Sequence, residues 1–189
     1  MDKRGSFDSF KNHARYSADV EPHHNDANKD PRSENVLVVG LGSPIMSDDA
    51  IGLKVVEHIE AMNLPGVDTQ QEAIGGLDII PVIMGYRSAV IVDAIKTGSY
   101  DPGTVIILDP EDFEPTVANA SAHEINLATA MHIGRQFEPA GMPDSVKFVA
   151  VEALDLVTVS ETMTDAVADA LPNAVDAVLS IIDRFQRSI

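Results

Sequence analysis

The sequence predicts an α/β fold, a three-layer sandwich in which a largely parallel, twisted sheet carries helices on both faces. Short β-branched runs alternate with segments of helical periodicity through residues 35–189. This alternation implies right-handed crossovers and a mostly parallel sheet. The runs are continuously apolar, which is typical of strands buried on both faces. With 189 residues, 44% of them apolar, the chain is long enough to bury a single core.

Five strands and four helices follow from these patterns. The strands are predicted at residues 36–39, 67–73, 89–93, 103–108 and 146–151. The helices are predicted at residues 49–62, 76–84, 121–137 and 164–185, with Ser121 as the N-cap of the third. In the first helix, one stripe should face the core: Ile51, Val55, Ile59 and Met62. In the last helix, Pro172 should kink or divide the helix because it cannot donate a main-chain hydrogen bond.

Residues 1–34 read as a disordered polar tail, followed by a single α/β domain over residues 35–189. The tail is polar and aperiodic and cannot bury enough apolar area to offset its ordering entropy. Its His23-His24 pair is compatible with metal contact, but a solvated tail is the favoured interpretation. The tail has seven acids and six bases, a net −1, so −16 of the total charge of −17 belongs to the domain.

The composition excludes several classes of function. A strongly anionic surface repels phosphate, so neither nucleic acid nor an anionic membrane is an expected partner. The absence of cysteine excludes disulfides, a thiol nucleophile and thiolate metal sites, which leaves nitrogen and oxygen ligands. No apolar run is long enough for a membrane span, and the N-terminus lacks a signal-peptide core. We therefore expect a cytoplasmic protein, and we separately expect a monomer.

The loop after the first strand begins like a dinucleotide fingerprint, but its third glycine position holds Ile45. Two acids, Asp48 and Asp49, then enter the start of the helix, where a phosphate would otherwise bind. A nucleotide-binding enzyme is therefore the least favoured function. From the local pattern alone, Asp48 is also compatible with an N-cap role and Asp49 with a stabilising acid in the first helical turn.

Two further polar residues follow apolar segments. Asp93 ends the third strand, where a carboxylate is costly unless it has a partner, although a turn-forming role is equally compatible. His123 lies near the start of the third helix, where the helix dipole favours the neutral imidazole that a metal needs; a surface histidine is the alternative. Together, two carboxylates and an imidazole suit a divalent ion such as nickel or zinc, or the orientation of a water for hydrolysis.

Over residues 35–185 the chain resembles the hydrogenase maturation proteases, the endopeptidases that trim the large subunit of nickel–iron hydrogenases. Three motifs in order carry the resemblance. The first motif is a strand followed by Gly-x-Gly and then a pair of acids. The second is an apolar strand that ends in Asp-Ala. The third is Ser-x-His directly before a helix. They stand here as Gly40-Leu41-Gly42 with Asp48-Asp49, Val90-Ile91-Val92-Asp93-Ala94, and Ser121-Ala122-His123. The segments Gly103-Thr104 and Val149-Ala150-Val151-Glu152 also have equivalents in that family.

The resemblance implies a peptidase domain in which Asp49, Asp93 and His123 form a nickel-recognition site and are the catalytic candidates. The substrate would be a precursor large subunit already loaded with nickel, from which the enzyme cuts a short C-terminal extension. The nickel then belongs to the substrate, although other divalent ions are expected to fit the same ligands. A nickel-binding assembly chaperone of the same fold without peptidase activity, or a related peptidase acting on another protein, remain alternatives.

Two departures from the family pattern accompany the resemblance. Ser43 stands where the family has asparagine, and since both residues can cap a turn, little effect is expected. After the second strand, Ala73-Ile74 stands where the family often has Gly-Thr. This difference is expected to affect the substrate loop and thereby which hydrogenase the enzyme processes.

Overall fold

The computed structural model describes residues 32–113 and 122–188. Its centre is a five-stranded sheet in the order β2-β1-β3-β5-β4, in which only β4 runs antiparallel to its neighbour. The strands are β1 (Ser33–Leu41), β2 (Val67–Glu72), β3 (Tyr86–Ile95), β4 (Val105–Leu108) and β5 (Ser145–Glu152). The helices are α1 (Ile51–Ala61), α2 (Ile79–Ile83), α3 (Ala122–Phe137) and α4 (Asp165–Arg187), with 3-10 turns at Ser47–Ala50, Gly76–Asp78 and Pro110–Phe113.

The two faces of the sheet bury separate apolar cores, which confirms the predicted three-layer α/β fold. Alternate residues of the central strands, such as Val36 and Val38 in β1 and Val90 and Val92 in β3, face the core that α1 and α4 cover. The intervening residues, Leu37, Val39, Ala89 and Ile91 among them, face the core that includes α2 and part of α3. Because strands β1 and β3 are apolar on both faces, they can occupy the interior of the sheet.

Strand β4 turns back because the connection that precedes it is short. Residues 96–104 contain no helix, so they are too short to form the crossover connection over a face of the sheet that another parallel strand would need. Strand β4 therefore starts at the edge where β3 ends and pairs antiparallel with β5, Val105 opposite Val151. Its position at the sheet edge leaves Ile107 48% exposed.

The first and last helices differ in detail from the predictions. In α1 the predicted apolar stripe is buried at Ile51, Val55 and Ile59, but Met62 lies just beyond the end of the helix and is 45% exposed. Helix α4 is not divided at Pro172. The proline removes a hydrogen bond to the carbonyl of Ala168, and since both residues are exposed, water can solvate that carbonyl instead.

Strand β1 begins at Ser33, two residues before the predicted domain boundary at residue 35. Just before it, the Arg32 guanidinium donates to the Met142 carbonyl at 2.6 Å and pairs with Asp144 at 2.9 Å. Residues 1–31 of the predicted tail, with His23 and His24, lie outside the described residues. Within the described ranges, no helix is both long enough and apolar enough to cross a membrane.

The packing of α1 on the sheet depends on Gly52. A Cβ atom there would lie 2.3 Å from the Leu41 carbonyl oxygen and 2.5 Å from the Val92 carbonyl oxygen. Both neighbours are main-chain atoms of interior strands, so the helix itself must move outward. We therefore expect Gly52→Ala to lower the free energy of unfolding by about 2–3 kcal/mol. Urea unfolding measures the loss, with exposed Glu60→Ala in the same helix as the control; equal stability of the two variants would contradict this packing.

Candidate functional site

Polar side chains gather at the carboxyl ends of the central strands. Strand β1 leads into the loop and 3-10 turn that carry Asp48 and Asp49, and β3 carries Asp93 close to its end. These two strands are parallel neighbours, with Gly40 opposite Val92. Strand β3 also approaches the 3-10 turn of residues 47–50. The structure therefore brings the predicted acids to one edge of the sheet, where ligands bind in open α/β folds.

Asp49 is half-buried and closes the loop that follows β1. Its Oδ2 accepts a hydrogen bond from the main-chain N–H of Ser43 at 2.7 Å. At Gly42, φ is +131° and an added Cβ would lie 1.8 Å from the Asp49 carbonyl oxygen, so only glycine fits this close approach. Because the bond uses the main chain of Ser43, replacement of the family's asparagine leaves it intact. Within the described part of the chain, Oδ1 of Asp49 accepts no hydrogen bond.

Asp93 is half-buried, and its Oδ1 accepts a hydrogen bond from the Ala94 N–H at 2.8 Å. Side chains alternate across a strand, so Asp93 lies on the same face as Ala89 and Ile91. That face belongs to the core to which α3 contributes Met131. Asp93 is therefore on the side of the sheet from which α3 can supply a further ligand.

His123 is the second residue of α3, and its side chain lies outside what the structure describes. The path of the α3 backbone nevertheless indicates which edge of the sheet His123 lies near. Helix α3 leads through residues 138–144 to the start of β5 at the opposite edge of the sheet, and its 16 residues span about 24 Å. The helix also approaches the 3-10 turn that follows β2. This course brings the start of α3 toward the edge that holds Asp49 and Asp93, while convergence of the three side chains stays a prediction.

Asp48 has a different role from its neighbour and from the N-cap role considered for it. It lies inside the 3-10 turn, is fully buried, and accepts four hydrogen bonds. Its Oδ2 accepts from the N–H groups of Leu154 and Asp155 at 2.9 and 2.8 Å and from the Thr164 hydroxyl at 3.0 Å. Its Oδ1 accepts from the Thr164 N–H at 2.7 Å. One carboxylate thus ties the 3-10 turn to both ends of the 154–164 loop.

A second buried carboxylate, Glu152, organises the loop after β3. It is 1% exposed. Its Oε1 accepts from the N–H groups of Thr97 and Gly98 at 2.9 and 2.7 Å, and its Oε2 accepts from the Thr97 hydroxyl at 2.8 Å. The family pattern marked Glu152 without indicating this role. The signal available in the sequence is an acid at the end of an apolar strand, the same signal that singled out Asp93.

The site is electrostatically anionic. Within the described residues, neither Asp48 nor Asp49 forms an ion pair with a basic side chain. The nearby Lys96 ammonium donates to the Leu154 carbonyl at 2.6 Å. Among the residues whose side chains are described, which do not include His123, no group of three acids or histidines could hold a metal ion.

The other two helical histidines, His58 and His132, are surface groups. In α1, His58 Nδ1 is 2.8 Å from the Lys54 carbonyl oxygen. In α3, His132 Nε2 is 3.1 Å from the Gln136 amide nitrogen. Both rings are exposed and lie in helices away from the acidic edge.

The fold, with acids at the carboxyl edge of a covered, largely parallel sheet, places the chain among the α/β proteins that bind ligands at this edge. The model of the hydrogenase maturation protease family (HycI) matches residues 53–181, a span that includes Asp93 and His123. The chain therefore belongs to the hydrogenase maturation protease family. The match begins just after the acid pair at residues 48 and 49.

Individual relatives agree with this assignment. The chain is 30% identical to the hydrogenase 2 maturation protease of Escherichia coli over 51% of its own length and 60% of that protein. It is 25% identical to the hydrogenase expression/formation protein HupD of Rhodobacter capsulatus, over 76% of this chain and 69% of that protein. The fold is similar to that of the hydrogenase maturating endopeptidase HybD from E. coli, with a TM-score of 0.66, 24% identity, and 79% and 93% of the two chains covered.

Proposed function

We propose that this protein is an endopeptidase that removes the C-terminal extension of a nickel–iron hydrogenase large-subunit precursor and recognises the nickel that the precursor carries. Family membership supports the peptidase class and the link to hydrogenase maturation. The observation that carries the finer proposal is the placement of Asp49 and Asp93 at one edge of the sheet, toward which the start of α3 also runs.

The donor set fits nickel as part of the substrate. Oδ2 of Asp49 is used by the Ser43 N–H, which leaves Oδ1 available to a ligand. Carboxylate oxygens with an imidazole nitrogen are suitable ligands for a first-row dication such as nickel. In this proposal the nickel is bound from the open side of the sheet edge by Asp49, Asp93 and His123. The precursor supplies the remaining ligands of the nickel.

Nickel loading also provides a gate for binding. Neighbouring carboxylates repel each other unless a cation arrives. A precursor that brings nickel relieves this repulsion, whereas a nickel-free precursor does not. Recognition of nickel therefore precedes cleavage.

The cleavage step is the hydrolysis of one peptide bond. Water adds to the scissile carbonyl carbon, the C–N bond breaks, and the departing amine takes up a proton. In this proposal the same three side chains also orient that water.

Incubation with precursor tests the proposal. With nickel-loaded precursor, mass spectrometry should show the loss of one C-terminal peptide, and binding should be at least about tenfold tighter than for the nickel-free precursor. Cleavage together with equal affinity for the nickel-loaded and nickel-free precursors would contradict the proposal that nickel controls binding. Tight binding of nickel-loaded precursor that keeps its full mass would contradict the peptidase and favour an assembly chaperone.

A further inference from the structure

Exposed apolar side chains concentrate around the acidic edge. Among the described residues, nine large apolar side chains are prominently exposed, and six of them lie in loops that follow the carboxyl ends of parallel strands. We call these six the apolar rim: Ile45, Leu77, Tyr100, Leu154, Val157 and Val159. Ile45 and Val159 adjoin a common main-chain bridge, and apolar exposure concentrated at one edge of a sheet is typical of an interaction surface.

Part of this rim lies beside a short unpaired edge of main chain. The Ser160 N–H donates to the Ile45 carbonyl at 3.0 Å, and the Ser47 N–H donates to the Ser160 carbonyl at 2.9 Å. These bonds form a parallel bridge between Met46 and Ser160. On the other side of this bridge, the N–H and C=O of Val159 make no hydrogen bond within the described ranges. Such an edge is a template for pairing with another extended chain.

The edge is connected to the acidic site by short links. Met46 lies on the bridge, and its carbonyl accepts the Asp49 N–H at 3.2 Å. The buried Asp48 carboxylate holds Leu154 and Thr164, which flank the edge in sequence. The loop is therefore held in place before a partner arrives, which lowers the entropic cost of binding.

Around the edge, the acids Asp155 and Glu161 outnumber the base Lys96, whose ammonium donates to the Leu154 carbonyl at 2.6 Å. The Asp155 carboxylate accepts the N–H groups of Val157 and Thr158 at 2.9 and 3.0 Å. The Thr158 hydroxyl, followed by these N–H groups, holds the pKa of Asp155 below its usual value, so this carboxylate is ionised at neutral pH. Exposed Glu161 follows the bridge, and the chain as a whole carries a net charge of −17. Complementarity therefore favours a partner segment that carries lysine or arginine.

We propose that the edge at Val159 and the adjoining apolar rim bind an extended segment of the precursor next to its scissile bond, one with apolar side chains and a basic residue. This inference rests on the proposed function. The segment would add to the edge by main-chain hydrogen bonds, as in other cases of strand addition, while Val157, Val159 and Ile45 contact its apolar side chains. The bridge through Met46 would then align the segment with Asp49.

A double variant, Val157→Ser with Val159→Ser, tests the surface. Both side chains are highly exposed, 79% and 75%, so their loss should leave the fold intact. For cleavage of nickel-loaded precursor, KM should rise about tenfold or more while kcat stays within about twofold. Phe137→Ser is the matched control, because Phe137 is 77% exposed and ends α3 toward the opposite edge of the sheet. An unchanged KM in the double variant, or a fall in kcat alone, would overturn the inference.

Photocrosslinking separates this inference from the proposed function. A photoreactive residue at position 159 should crosslink to the nickel-loaded precursor, whereas one at position 137 should not. If the wild-type chain leaves the precursor intact but position 159 still crosslinks to it, the peptidase proposal fails and the docking surface stands. Crosslinking at 159 to a second copy of this chain, or equal crosslinking from both positions, would overturn the docking surface.

Discussion

Asp49→Ala and His123→Ala should each lower kcat/KM for cleavage of nickel-loaded precursor by between about 10²- and 10⁴-fold, while the protein remains folded. The reason lies in the geometry around Asp49. Its Oδ2 holds the loop through a bond to the Ser43 N–H, and no group of the described residues donates to its Oδ1. Losing that one hydrogen bond costs about 1 kcal/mol of stability, far less than the loss of a nickel ligand costs in activity.

Rates of peptide release and thermal unfolding, measured on the same samples, separate the two effects. Asp183→Ala is a suitable control, since this acid pairs with Arg187 on the surface of α4. It should leave both activity and stability nearly unchanged. Full activity of either site variant would contradict the assigned roles, and so would a loss of activity that follows unfolding alone.

Asp48→Ala should have the largest effect on stability, a loss of about 3–5 kcal/mol in the free energy of unfolding. The substitution leaves the buried N–H groups of Leu154, Asp155 and Thr164 without their acceptor. Because these groups hold both ends of the 154–164 loop, the loop should also become more open to hydrogen exchange.

Urea unfolding with hydrogen-exchange mass spectrometry checks this prediction. The matched control is Asp155→Ala, which also removes a carboxylate that accepts two main-chain N–H groups, but at a half-buried position where those bonds are exposed to solvent. It should cost less than about 1 kcal/mol because water can satisfy the released groups. Equal losses in the two variants would show that the burial of Asp48 contributes nothing to the stability of the loop.

The sheet and its helices were predictable because the sequence carries strong periodic signals there. The runs at residues 36–39 and 89–93 are apolar throughout, and the structure buries both at interior positions of the sheet. The inner stripe predicted for α4 is similarly regular: Val167, Val175, Val178 and Ile182 are buried, and Leu171, its fifth member, is half-buried. The order of the strands does not follow from these signals alone, because the edge strand β4 is also apolar throughout.

The partners of individual carboxylates were not predictable, because they are distant in the chain. Asp48 binds groups 106 to 116 residues away. Its local sequence therefore allowed an N-cap interpretation that the structure contradicts. The edge at Val159 carries no sequence signal either, since it depends on a bridge to Met46. Likewise, the exposed position of Met62 reflects the end of α1 at Ala61, one residue short of the predicted stripe.

The most direct test of the account is the position of nickel relative to Asp49, Asp93 and His123. Crystals of the full chain soaked with a nickel salt would show the ion by anomalous scattering. We expect one ion bonded to both carboxylates and to the imidazole, with ligand distances of about 2.0–2.2 Å. An imidazole on the far rim of the sheet edge, with nickel bound elsewhere or to the acids without it, would contradict the central claim.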